Sequence, residues 1–72
     1  MSDILDKNEI KENLDSLDGW IIKNNLLYKK FSFKTFMNAF SFMNIIADQS
    51  EKVDHHPKII NEYSIVEIEL FT

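Results

Sequence analysis

From Phe33 to Val53 the stretch FKTFMNAFSFMNIIADQSEKV spaces its apolar residues as a helix does, and on either side the spacing falls to two. A chain with that rhythm places a long helix between two pairs of strands. Before the helix, WIIK and LLYKKFSF are separated by Asn24-Asn25, and Asn tolerates the left-handed conformation that a tight hairpin turn requires. After it, KIINEYSIVEIELFT alternates, with Val66, Ile68 and Leu70 on one face and Glu67 and Glu69 on the other. That pattern predicts a second, half-buried hairpin. A further helix is expected at the start of the chain. Asp6 is its N-cap, Glu9 the reciprocal cap and Leu5 packs on Ile10, while Ile10, Leu14 and Leu17 repeat at helical spacing. Gly19, the only glycine, sits where this helix stops.

The order helix-strand-strand-helix-strand-strand predicts an α+β domain in which a four-stranded antiparallel sheet carries its helices on one face. On the long helix, Phe36, Ala39, Phe40, Met43, Ile46 and Ala47 form the expected core face. Met37 and Ile45 fall outside it, among Asn38, Ser41, Asn44 and Asp48, and read either as scattered surface apolars or as a subunit interface. Two helices are thin cover for four strands. A missing last element or an oligomer is therefore expected.

Seventy-two residues make one domain, 1–72, with a modest core, and there is no cysteine to reinforce it by disulfides or thiolate-bound zinc. Nothing marks an oxidising compartment, so a cytoplasmic location is expected. Twelve acidic residues against eight basic ones argue against direct nucleic-acid binding, which relies on clustered Lys and Arg. No apolar run approaches a membrane span, and MSDILDKNEI lacks the basic start of a signal peptide.

Both histidines lie side by side in EKVDHHPKI, residues 51–59. Adjacent side chains diverge, and no third His or Cys exists in the sequence, so Glu51 and Asp54 are the only nearby groups to complete a metal site. No metal is expected. General acid–base chemistry suits the pair better, because imidazole exchanges protons near neutral pH and one ring can donate while its neighbour accepts. Pro57 holds His56 extended. Taken alone, the same residues also read as a polar connection from helix to strand.

The pattern extends further. Glu51-x-x-x-His55-His56-Pro57, followed by Tyr63, Val66, Ile68, Leu70 and Thr72, resembles the signature of the pterin-4a-carbinolamine dehydratases. FSFKTFMNAFSFM is similar to that family's F-x-F-x-x-F-x-x-A-F-x-F-M, and Gly19-Trp20 also fits, so the resemblance covers Leu5 to Thr72. It implies a helix-strand-strand-helix-strand-strand-helix fold, and dehydration of 4a-hydroxytetrahydropterin to the quinonoid dihydropterin in tetrahydrobiopterin regeneration. It further implies His55 and His56 as catalytic residues and Glu51, Asp54, Pro57, Phe71 and Thr72 as substrate-binding ones, with no cofactor. Homo-dimers or homo-tetramers are implied too. Animal members also act as dimerisation cofactors for a homeodomain transcription factor, so a non-catalytic binding module is the alternative. The family pattern continues beyond this threonine with a histidine and a final helix. The expectation is a fragment of a longer protein or, failing that, a shortened inactive relative.

Overall fold

The computed structural model describes residues 8, 10, 12, 13 and 18–71. Asn8, Ile10, Glu12 and Asn13 are helical, and Ile10 is buried in the core. The expected cap residues Leu5, Asp6 and Glu9, the helix positions Leu14 and Leu17, and Thr72 lie outside the described residues.

Asp18 and Gly19 form a turn in which Gly19 adopts φ +88°, a left-handed conformation suited to a residue without a side chain. Strand β1 (Ile21–Lys23) and strand β2 (Leu26–Ser32) then pair antiparallel, with Ile22 opposite Leu27. Between them Asn24 and Asn25 take φ values of 52° and 66°, so both central turn residues are left-handed as the hairpin twist demands.

Helix α1 (Phe36–Val53) starts at Thr35, whose Oγ1 accepts the Asn38 backbone N–H at 3.0 Å. Strands β3 (Lys58–Glu62) and β4 (Ile65–Phe71) form the second hairpin, through a turn in which Tyr63 is left-handed. Asn61 Nδ2 donates to the carbonyls of Tyr63 and Ile65 at 3.1 and 2.9 Å, tying that turn. The sheet order is β1-β2-β4-β3, every neighbour antiparallel. β4 therefore lies inside the sheet, and its alternation buries Val66 and Ile68 against α1.

The core gathers Ile10, Phe31, Phe33, Ala39, Phe42, Val66 and Ile68, so the described helical residues share one face of the sheet. Its aromatic centre is Phe42, 4.6 Å from the Phe31 ring and 5.0 Å from Phe33, centroid to centroid. The face of α1 that turns inward overlaps the expected one in Ala39, Met43 and Ile46 but is rotated from it. Phe36 and Phe40 are 42% and 46% exposed and Ala47 is exposed, whereas Asn38, Ala39, Phe42 and Ser50 are buried. Ile45, expected outside the core, packs against it, while Met37 stays 45% exposed. Phe42, in ring contact with two aromatic residues of the sheet side, is at the centre of this face, and polar Asn38 and Ser50 are buried on the same face. Ser50 is accommodated because its Oγ donates to the Ile46 carbonyl at 2.7 Å.

Candidate active site

The last turn of α1 aims the histidines. Asp54, at the C-cap, is left-handed (φ 53°, ψ 43°), and the turn it makes lets the His55 backbone N–H donate to the Ser50 carbonyl at 3.1 Å. This backbone bond pins His55 to the helix end, and Pro57 leads directly into β3 at Lys58. Adjacent side chains thus diverge under two fixed constraints.

His55 lines a cleft of about 260 Å³ on the helix-bearing side of the sheet. The sheet contributes Phe31, Ile68 and Leu70, and α1 contributes Ile46, Gln49, Ser50 and Val53. Trp20 and Pro57 complete it. His55 is thus one of three polar residues on an otherwise apolar lining. The lining is therefore apolar with an imidazole, an amide and a hydroxyl set in it, a combination that can bury an apolar ligand and present it with a group able to exchange protons near neutral pH.

His56 points elsewhere and does not line the cleft. Its Nε2 lies 2.6 Å from Glu51 Oε2, an exposed pair joining the histidine to the last turn of the helix. The carboxylate accepts, so Nε2 carries the hydrogen, and the ring's orientation is set by that bond. Glu51 and Asp54 are both exposed beside the cleft, and Asp54 acts on the site through its backbone turn.

Of the residues expected to bind substrate, the structure brings Pro57 into the cleft with His55. Phe71 is not brought there. Residues alternate across β4, so Phe71 falls on the opposite face of the sheet from Val66 and Ile68 and is 71% exposed, whereas its neighbour Leu70 lines the cleft. Trp20, Ser50 and Leu70 were not expected as site residues. For Leu70 the signal was present in the strand alternation, and for Trp20 in the Gly19-Trp20 pair. Ser50 carried none. Among the described residues no group of three or more His, Cys, Asp or Glu could hold a metal ion, and no helix is long and apolar enough to cross a membrane.

Comparison with known proteins bears on the family and the fold. A family model described as Pterin 4 alpha carbinolamine dehydratase matches residues 3–72. A protein of Prochlorococcus marinus (strain NATL2A), provisionally named a pterin-4-alpha-carbinolamine dehydratase, is 40% identical over 72 residues, covering 100% of this chain and 76% of that protein. A relative in Sulfolobus acidocaldarius with the same provisional name is 41% identical over 68 residues, 94% of this chain and 75% of its own. Among solved structures, that of a transcriptional coactivator/pterin dehydratase from Brucella melitensis superposes with a TM-score of 0.73 at 39% identity. The superposition covers 97% of this chain and 77% of that one.

Proposed function

The chain belongs to the pterin-4a-carbinolamine dehydratase family, and from that premise we propose that it dehydrates 4a-hydroxytetrahydropterin to the quinonoid dihydropterin, releasing water. The observation that carries this reading is His55, held by a backbone bond at the mouth of an apolar cleft walled by Trp20 and Pro57. In the reaction the C4a–O bond breaks, the departing hydroxyl takes a proton to leave as water, and the N5 proton is lost as the C4a=N5 double bond forms. One group must give a proton and another must take one, so no net proton is consumed. His55, in the cleft, is the residue we assign to contact the pterin and exchange a proton with it.

His56 is assigned the complementary proton although its ring does not line the cleft, with Glu51 keeping its Nε2–H bond and so its orientation. Asp54 serves by turning the chain toward the cleft, and Pro57 by forming its wall. Phe71 is left out of this assignment because its side chain lies across the sheet. We place the reaction in tetrahydrobiopterin regeneration and in a cytoplasm, the latter on the absence of cysteine.

The exposed rings of α1 favour self-assembly as well. No charged residue occurs from Thr35 to Ala47, and Phe36, Met37 and Phe40 stand exposed on that stretch, with the Phe36 and Phe40 rings 5.8 Å apart. We propose that this stripe joins copies of the chain; it keeps Met37 from the pair that the sequence offered as surface apolars or an interface, and leaves out Ile45, which packs against the core.

The test of the enzymatic reading is spectroscopic. The 4a-carbinolamine is generated in situ and its decay followed with and without the protein. Acceleration well above the buffer rate is expected; decay at the buffer rate across the protein concentrations tried would refute it.

A further inference from the structure

The assignment above makes no use of Lys29, which is only 7% exposed on the core-facing row of β2. Long charged side chains are rarely buried to that extent, and this one has a defined setting. Its Nζ lies 4.8 Å from the Phe31 ring centroid and 5.8 Å from that of Trp20, within the range over which a ring face attracts a cation. Its stem runs beside the turn that precedes the tryptophan, since a Cβ built on Gly19 would sit 3.4 Å from Lys29 Cε and 4.0 Å from Cδ. One side chain thus spans from Gly19 to two aromatic walls of the cleft, yet does not itself line it. Trp20 needs such a hold. It enters the sheet through a strand of only three residues and meets Phe31 edge-on, with 6.0 Å between centroids and 78° between planes.

We propose that Lys29 is a positioning residue, its stem against Gly19 and its ammonium against the rings holding Trp20 as the wall on which a flat ligand stacks. That the ligand is a pterin rests on the function proposed above; that Lys29 holds Trp20 does not. Trp20 is the only tryptophan, so its fluorescence reports on the wall directly. Lys29→Met keeps most of the stem and removes the charge, and Lys29→Arg keeps the charge and its capacity to lie over a ring.

The experiment measures acrylamide quenching of Trp20 without ligand, quenching by 7,8-dihydrobiopterin, and dehydration kinetics, each per folded molecule. For Lys29→Met we expect Trp20 to become about twofold more accessible to acrylamide, with about fivefold weaker dihydrobiopterin binding. KM should rise in proportion while kcat stays within about twofold, the pattern of a lost binding wall rather than a lost proton donor. Lys29→Arg should restore all three. Should Lys29→Met fail to fold, Lys29→Gln, also uncharged, is read the same way. Wild-type quenching and affinity in the uncharged variant would overturn the proposal, as would a lowered Tm with unchanged affinity. If the wild type does not bind dihydrobiopterin, the pterin reading fails, and the acrylamide comparison alone decides whether Lys29 holds Trp20.

Discussion

Glu51 and His56 meet at 2.6 Å on an open surface, where an ion pair contributes about 0–1 kcal/mol to stability. Its worth must then lie in aiming the ring. Glu51→Gln is expected to leave Tm nearly unchanged while lowering kcat by about tenfold, the cost of a misdirected proton carrier. Steady-state kinetics beside a thermal melt checks this. Asp54 makes the opposite case, because its left-handed backbone is what its neighbour His55 depends on. Asp54→Gly should keep both fold and rate, whereas Asp54→Val should cost about 1–2 kcal/mol in a denaturant titration, since a β-branched residue resists that conformation. Equal rate losses in both variants would show instead that the carboxylate itself contacts the substrate.

At the scale of elements, the burial pattern separates phenylalanines that look alike in sequence. Phe42→Ala should cost about 3–5 kcal/mol because it removes the ring that joins α1 to Phe31 and Phe33. Phe36→Ala, on the exposed stripe, should cost well under half of that. The strand pair β2 and β4 carries a pH-dependent link. Tyr28 donates to Glu67 across the ladder at 2.6 Å, and that bond, with desolvation and the nearby carboxylates, raises the tyrosine above its ordinary value of 10.0. A raised folded-state value means the stabilisation is fully present below about pH 10 and is lost as pH climbs through the folded value. Denaturant midpoints measured across that alkaline range should fall for the wild type more steeply than for Tyr28→Phe. Both hairpins, the Asn24-Asn25 turn of the first and the order of elements were legible in the sequence, because period-two alternation records burial on one face of a sheet; the left-handed Tyr63 turn of the second was not. The inward face of α1 was legible only in Ala39, Met43 and Ile46, because its two polar buried residues, Asn38 and Ser50, do not register in an apolar count.

At the scale of the whole molecule, the described residues form one sheet with its core on one face and an uncharged, exposed aromatic stripe on the helix beyond it. Phe40→Glu should therefore shift sedimentation toward monomer while leaving the cleft's ligand affinity intact. A wild-type protein that sediments as a monomer at every concentration would remove this interface. The site was only partly legible at this scale. His55 and Pro57 were visible as a local motif, but the cleft they enter is closed by Trp20, Phe31 and Leu70, which come from three different strands or turns and converge only when the sheet forms. Phe71 lies outside that cleft while Leu70 lines it, since a single step along a strand exchanges one face of the sheet for the other.

The central claim is that His55, set in that cleft, moves a proton in pterin dehydration. It is tested most directly by the single-turnover rate of 4a-carbinolamine loss in His55→Ala against wild type, with dihydrobiopterin affinity measured on the same samples. We predict a fall of about 100-fold or more with affinity retained. A His55→Ala protein that binds the analogue and dehydrates the carbinolamine at the wild-type rate would contradict it.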